Sequence, residues 1–201
     1  MAEAPAGGRP IVADTLARHP LLAALFPSLE PLVLSRAGLR PRRPFAGRLF
    51  RLLRELAAAS PAATLNLVVP IRWLAAGEAP EAAWVGDHVN LEVRGPLTGR
   101  WPAGVPRTFP VLAGVYHPPQ HQPRLGRGSQ GPRVYSGIVV AGVTDVHRLT
   151  PFESQAAVAA GCKAVADCLV APVILAAYYG LPVAACGMVQ VAGAQTNEGS
   201  P

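Results

Sequence analysis

The segment Thr150-Pro151-Phe152-Glu153 sets a carboxylate three residues after a hydroxyl, close behind a Val-rich run. Thr150 can cap a helix, Pro151 suits its first turn, and Glu153 stands where a carboxylate reaches back to the cap N–H, a capping box in form. Asp87-His88 places an acid beside an imidazole and reads as an orienting pair inside the fold. Cys162, Cys168 and Cys186 are odd in number, lie in apolar surroundings and have neither a Cys-x-x-Cys pair nor a His at metal spacing nearby, so buried free thiols are expected and no metal site. Ala6-Gly7-Gly8-Arg9 follows no strand and therefore does not read as a phosphate cradle.

The elements that would position these groups follow from periodicity. Leu49, Leu52, Leu53 and Leu56 recur at helical spacing behind Phe45, with Arg48, Arg51, Arg54 and Glu55 between them, which predicts an amphipathic helix over residues 45–59, ended by Ser60-Pro61. Residues 64–71 form a β-rich run, 84–91 a strand ending near Arg94-Gly95-Pro96, and 134–144 a Val- and Ile-rich strand without charge. The capped helix then runs to about Ala160, a short strand covers 164–167, a helix 171–179 closes at Gly180, and a last strand covers 183–191. Such alternation predicts an α/β fold: a single layered domain with a mixed central β-sheet flanked by helices. Residues 1–44, interrupted by Pro20, Pro27 and Pro31, read as an irregular arm, 99–133 as a long Pro-rich surface loop, and 192–201 as a flexible tail.

Composition narrows the function. The chain has 201 residues, half of them apolar, enough for one core. Its formal net charge of +6 comes almost wholly from Arg scattered among Pro and Gly, which gives no basic stripe and argues against a nucleic-acid partner. The N-terminus lacks a basic region followed by an apolar signal stretch, and the longest apolar run, 168–187, is broken by Pro172, Gly180 and Pro182. A cytoplasmic protein without a membrane partner is expected.

The order Val85-Gly86-Asp87-His88-Val89-Asn90-Leu91, Gly95-Pro96-Leu97-Thr98-Gly99, then Phe109-Pro110 and Tyr116 resembles the purine nucleoside phosphorylase family of the trimeric type. That family's usual strings are Asp-His-Ile-Asn-Leu, Asn-Pro-Leu-x-Gly-Pro and Arg-Phe-Pro before Ala-Tyr. Val139-Val140-Ala141-Gly142 followed by Pro151-Phe152-Glu153-Ser154 is similar to the family's Val-Ala-Gly-Pro-x-Phe-Glu-Thr, split here by an insertion. Gly161-Cys162-Lys163-Ala164-Val165, Val170-Ala171-Pro172-Val173 and Gly180-Leu181-Pro182-Val183 follow in family order, so the resemblance spans about residues 45–191.

What the resemblance implies is a purine site. Glu153 would accept hydrogen bonds from the base with Phe152 beside it, and a ligand lacking the matching N–H groups would leave the charge unpaired at about 1–3 kcal/mol. Phe109 falls where the family extends an aromatic over a neighbour's ribose, which implies an oligomer; its other reading is an anchor for the Pro-rich loop. Asp167-Cys168 stands where the family has Met-Ser on ribose and phosphate, and Gln190, next to Val191, stands near the family's Asn donor to the purine. No cofactor is implied, and orthophosphate would be the co-substrate of an active enzyme. The departures point to a truncated, divergent member: the Gly-Ser-Gly phosphate loop, the Arg/His/Tyr segment, the N-terminal strands and the C-terminal helix are missing. Asn66-Leu67-Val68-Val69-Pro70-Ile71 replaces the glycine turn Thr-Asn-Ala-Ala-Gly-Gly. Three readings stay open: a catalytically impaired purine-binding or regulatory pseudoenzyme, an active phosphorylase that completes its site with another chain, and a structural subunit of a homo- or hetero-oligomer.

Overall fold

A computed structural model describes residues 9–26, 30–39, 47–60, 62–92, 95–98, 101, 105–118 and 132–190. Seven strands form one mixed sheet: β1 (Ile11–Ala13), β2 (Leu32–Leu34), β3 (Leu65–Trp73), β4 (Ala82–Asn90), β5 (Val134–Gly142), β6 (Ala164–Ala166) and β7 (Val183–Val189). Among the described residues five α-helices accompany them: α1 (Pro20–Leu25), α2 (Arg36–Leu39), α3 (Arg48–Ala59), α4 (Pro151–Ala159) and α5 (Val170–Tyr178). The expected α/β class with a mixed sheet and flanking helices is what the chain adopts.

β3 organises the sheet. One of its edges runs parallel to β7 from Leu65↔Val183 to Ile71↔Val189. The other edge is shared: β1 pairs in parallel with Leu67 and Val68, and β6 pairs antiparallel with Arg72 and Trp73. Since β6 continues to β5, β5 to β4 and β4 back to β7, the strands β3-β6-β5-β4-β7 close into a ring, with β1 and β2 as an outlying wing. Pro70 fits this central strand for a geometric reason. The Gln190 N–H donates to the Ile71 carbonyl, so odd residues of β3 face β7 and the donorless Pro70 nitrogen faces the opposite edge. On that edge the partner changes from β1 to β6, so a missing N–H breaks no ladder bond.

Alternation along β3 feeds two cores. Leu65, Leu67, Val69 and Ile71 join Leu49 and Leu53 of α3 and Val173 and Leu175 of α5 in the larger one. Val68 turns to the other face, with Trp84, Cys186, Met188 and the α1 residues Leu21, Leu22 and Leu25. All three cysteines are buried and none is in a disulfide, and burial pushes the Cys186 thiol up to about 12.

Two sequence expectations are corrected. Residues 1–44 hold more than an irregular arm: β1 and β2 pair with each other and β1 extends the main sheet, so N-terminal strands are present, though each is only three residues long. The 99–133 stretch is in part docked and not wholly a surface loop. Val115 is buried, Tyr116 bridges Val183, and the His117 N–H donates to the Val183 carbonyl over 2.8 Å. The 192–201 tail lies outside the described residues. Among the described residues no helix is long and apolar enough to cross a membrane.

Candidate functional site

α4 begins as its sequence predicts. The Thr150 hydroxyl accepts from the Glu153 N–H over 3.2 Å, and Glu153 Oε2 accepts from the Thr150 N–H over 2.7 Å. Glu153 is thus occupied as the capping-box carboxylate of its own helix, turned back onto the backbone and exposed to solvent. The Thr150 N–H bond holds its carboxyl below the usual carboxylate range. Phe152, next to it, is 78% exposed.

Ser154, the following residue, ties α4 to the sheet: Arg72 Nη2 donates to its Oγ over 3.3 Å. Arg72 is half-buried near the end of β3, and its Nε is buried without a hydrogen-bond partner among the described residues. Across the strand Arg72 is in register with Val165, two residues ahead of the buried Asp167. On the opposite edge the Gln190 N–H is bound to the carbonyl of Ile71, and the Gln190 side chain is exposed. The start of α4, the end of β6 and the end of β7 therefore converge on Ile71–Arg72, bringing the segments of Phe152, Glu153, Asp167 and Gln190 to one end of β3.

Phe109 is not part of this convergence. It is 76% exposed and packs edge to face on Trp101, ring centroids 6.4 Å apart, and Trp101 in turn packs on Tyr178 of α5. The apolar stretch Asn66–Ile71 is strand interior, not a lost turn. The chain leaves β3 after Trp73 and bends through Ala75-Ala76-Gly77, where Gly77 has φ +94° in the left-handed region that favours glycine. A small-residue bend does follow the first long core strand, at Ala75-Ala76-Gly77 and not at Asn66–Ile71.

Sequence reasoning missed two groups. Arg72 could have been noticed as a lone cation at the end of an apolar strand. The second is a pair: the Tyr116 hydroxyl and His88 Nδ1 lie 2.9 Å apart, and the rings meet edge to face at 5.7 Å. Burial lowers the His88 pKa below 6.5 and raises that of Tyr116, with the Asp87 charge adding to the latter, so both are neutral near pH 7. Asp87 Oδ1 accepts from the His88 N–H over 2.7 Å, which fixes the backbone there. These contacts make Asp87-His88 an orienting element of the β4 end.

No protein-family model matches the chain, and no curated protein matches it in sequence. Solved structures do match in fold. A methylthioadenosine phosphorylase from Schistosoma mansoni in apo form shares 15% identity at a TM-score of 0.59, over 93% of this chain and 81% of that one. A purine nucleoside phosphorylase of the same organism, complexed with a monocyclic inhibitor, shares 15% at a TM-score of 0.64, over 92% and 83%. A mutant adenosine/methylthioadenosine phosphorylase from it, in complex with adenine, shares 14% at 0.61, over 89% and 77%. The chain thus has a nucleoside phosphorylase-like fold.

Proposed function

We propose that this chain is a divergent nucleoside phosphorylase-like protein that binds a purine base or nucleoside at the end of β3 and is impaired in phosphorolysis. The observation that carries the reading is the convergence of the α4 start, Asp167 and Gln190 on Ile71–Arg72. Glu153, at the surface beside Phe152, has its second carboxylate oxygen left to accept from a ring N–H. Arg72 supplies a cationic donor for a ring carbonyl or nitrogen.

Impairment follows from lost donors. Phosphorolysis needs an orthophosphate dianion held by preorganised donors, and each lost donor costs about 10²–10³ in rate. Where the resemblance places Met-Ser on ribose and phosphate, this chain has Asp167-Cys168, a carboxylate and a weak thiol donor. In place of the serine hydroxyl the pair offers only a thiol, a weak donor.

The test is calorimetric titration with guanine, hypoxanthine, inosine and guanosine, with and without phosphate, on wild type and Glu153→Gln. Weak saturable binding, reduced in the variant and indifferent to phosphate, is expected. Absence of binding to all four ligands overturns the reading. Phosphate-dependent release of free base from inosine or guanosine would instead establish the second reading, an active phosphorylase completed by another chain in an oligomer. The exposed Phe109 ring on its docked segment favours that second reading, because such a ring is free to reach a neighbouring subunit.

A further inference from the structure

β6 has only three residues, and its register on β5 begins at Val140↔Ala164. One more bond, from the Lys163 N–H to the Val139 carbonyl at 2.8 Å, extends the contact by a residue. β5 starts earlier, at Val134, and β4 covers its opposite edge from that first residue. The second edge of Val134–Ile138 therefore has no strand beside it among the described residues, and on the far side β3 has already turned away after Trp73. What remains is a slot in the wall of the ring, a cavity of about 620 Å³. That is the size of a small-molecule site.

The lining has a definite chemistry. Trp73 and Tyr135 both line it, packed edge to face on each other with centroids 5.8 Å apart at 70°, and offer aromatic surface from two strands. Ser136 brings a hydroxyl and Gly137, at φ +70°, a bare stretch of backbone on the uncovered edge. Lys163 is the one charged side chain among the lining residues, and no carboxylate joins it. Arg133, just ahead of β5, is already paired with Glu78. Glu153, Phe152, Asp167 and Gln190 do not line the slot, so it is distinct from the segments gathered at Ile71–Arg72.

We propose that this slot is a second binding site, for a planar aromatic carboxylate whose ring lies against Trp73 and Tyr135 and whose anionic group meets Lys163. The uncovered main-chain edge of β5 serves polar substituents on the ring, as a strand edge serves any partner with matched donors and acceptors. The lining favours both a flat ring and a negative charge: a neutral ring forgoes the ion pair with the ammonium, and an aliphatic acid leaves the aromatic wall unused.

Calorimetric titration of the full chain with 2-naphthoate, its neutral amide 2-naphthamide, and the aliphatic acid hexanoate tests this. Naphthoate is expected to bind one equivalent, about two- to fivefold more tightly than the amide, as a solvent-exposed ion pair allows, and hexanoate not measurably. Lys163→Gln should abolish the preference of acid over amide, while Tyr135→Thr and Ala76→Phe should weaken both aromatic ligands, with circular dichroism confirming the fold. Glu153→Gln should leave naphthoate binding unchanged, which separates this site from the proposed purine site. Equal affinity for acid and amide in wild type, retention of the preference in Lys163→Gln, or no saturable heat in the millimolar range overturns the proposal.

Discussion

Arg72 Nη2 donates to Ser154 Oγ over 3.3 Å, joining the end of the central strand to the first turn of the helix that follows β5. The two residues are far apart in sequence, and the bond fixes how α4 enters above the sheet. If the proposed cleft takes a base there, Arg72→Gln removes a charge-assisted donor worth about 1.5–3 kcal/mol. Guanine and hypoxanthine affinity should fall at least about tenfold, whereas Ser154→Ala, which frees the guanidinium without removing it, should leave affinity intact. Titration calorimetry on both variants distinguishes them.

The α4 cap separates stability from binding. Thr150→Ala removes the hydroxyl that accepts the Glu153 N–H and should cost about 0.5–2 kcal/mol in chemical denaturation. Glu153→Gln keeps a side chain that completes a capping box and should cost less than Thr150→Ala in the same measurement. A loss of purine binding in that variant would then report charge and not unfolding.

Glu153 also gives a pH signature. Its folded pKa lies below the ordinary 4.5, so the unfolded chain takes up its proton first as pH falls. The contribution of the charged cap is complete above the unfolded value and disappears as pH drops through the depressed folded one. In Glu153→Gln the urea midpoint should depend less on pH below about 4.5 than in wild type.

His88 acts at higher pH with the same sign. Burial depresses its folded pKa below 6.5, so the neutral ring is favoured in the native state, and stability should decline as pH falls through and below that value. Tyr116 stays protonated across this range. His88→Leu should flatten the decline and, at neutral pH, cost about 1–3 kcal/mol by leaving the half-buried Tyr116 hydroxyl unpaired. Thermal denaturation between mildly acidic and neutral pH checks both parts.

Gly86 sits at the irregular register of β4 on β5, where the backbones approach closely. A Cβ there would stand 2.9 Å from Gly137 Cα, against main chain that has no flexible tip to yield. Gly86→Ala should destabilise by about 1–3 kcal/mol, measured by urea titration.

Much of this architecture was legible in the residues. Thr150, Pro151 and Glu153 each declare a helix start by independent physics, and the α3 periodicity declares its buried face, so both helices were found within a few residues of their bounds. β1 and β2 were not legible, because three residues are too few for alternation to register and their pairing depends on β3, far along the chain. The docking of Val115–His117 on Val183 was hidden for a related reason: main-chain bonds carry no side-chain signature. The site was harder still. The capping box of Thr150 and Glu153 was legible in form, but the length of β3, which moves the small-residue bend to Gly77 and brings Arg72 to Ser154, is set by pairing with β7 and not by its own sequence.

That pairing governs how the molecule is made. Leu65–Ile71 finds its neighbour only in Val183–Val189, so the enclosed wall cannot seal until nearly the whole described chain has been synthesised. Before then apolar β3 has a bare flank, and folding driven by such distant partners is slow. The nascent chain should depend on protection from self-association during this interval, a hazard that the finished ring no longer carries.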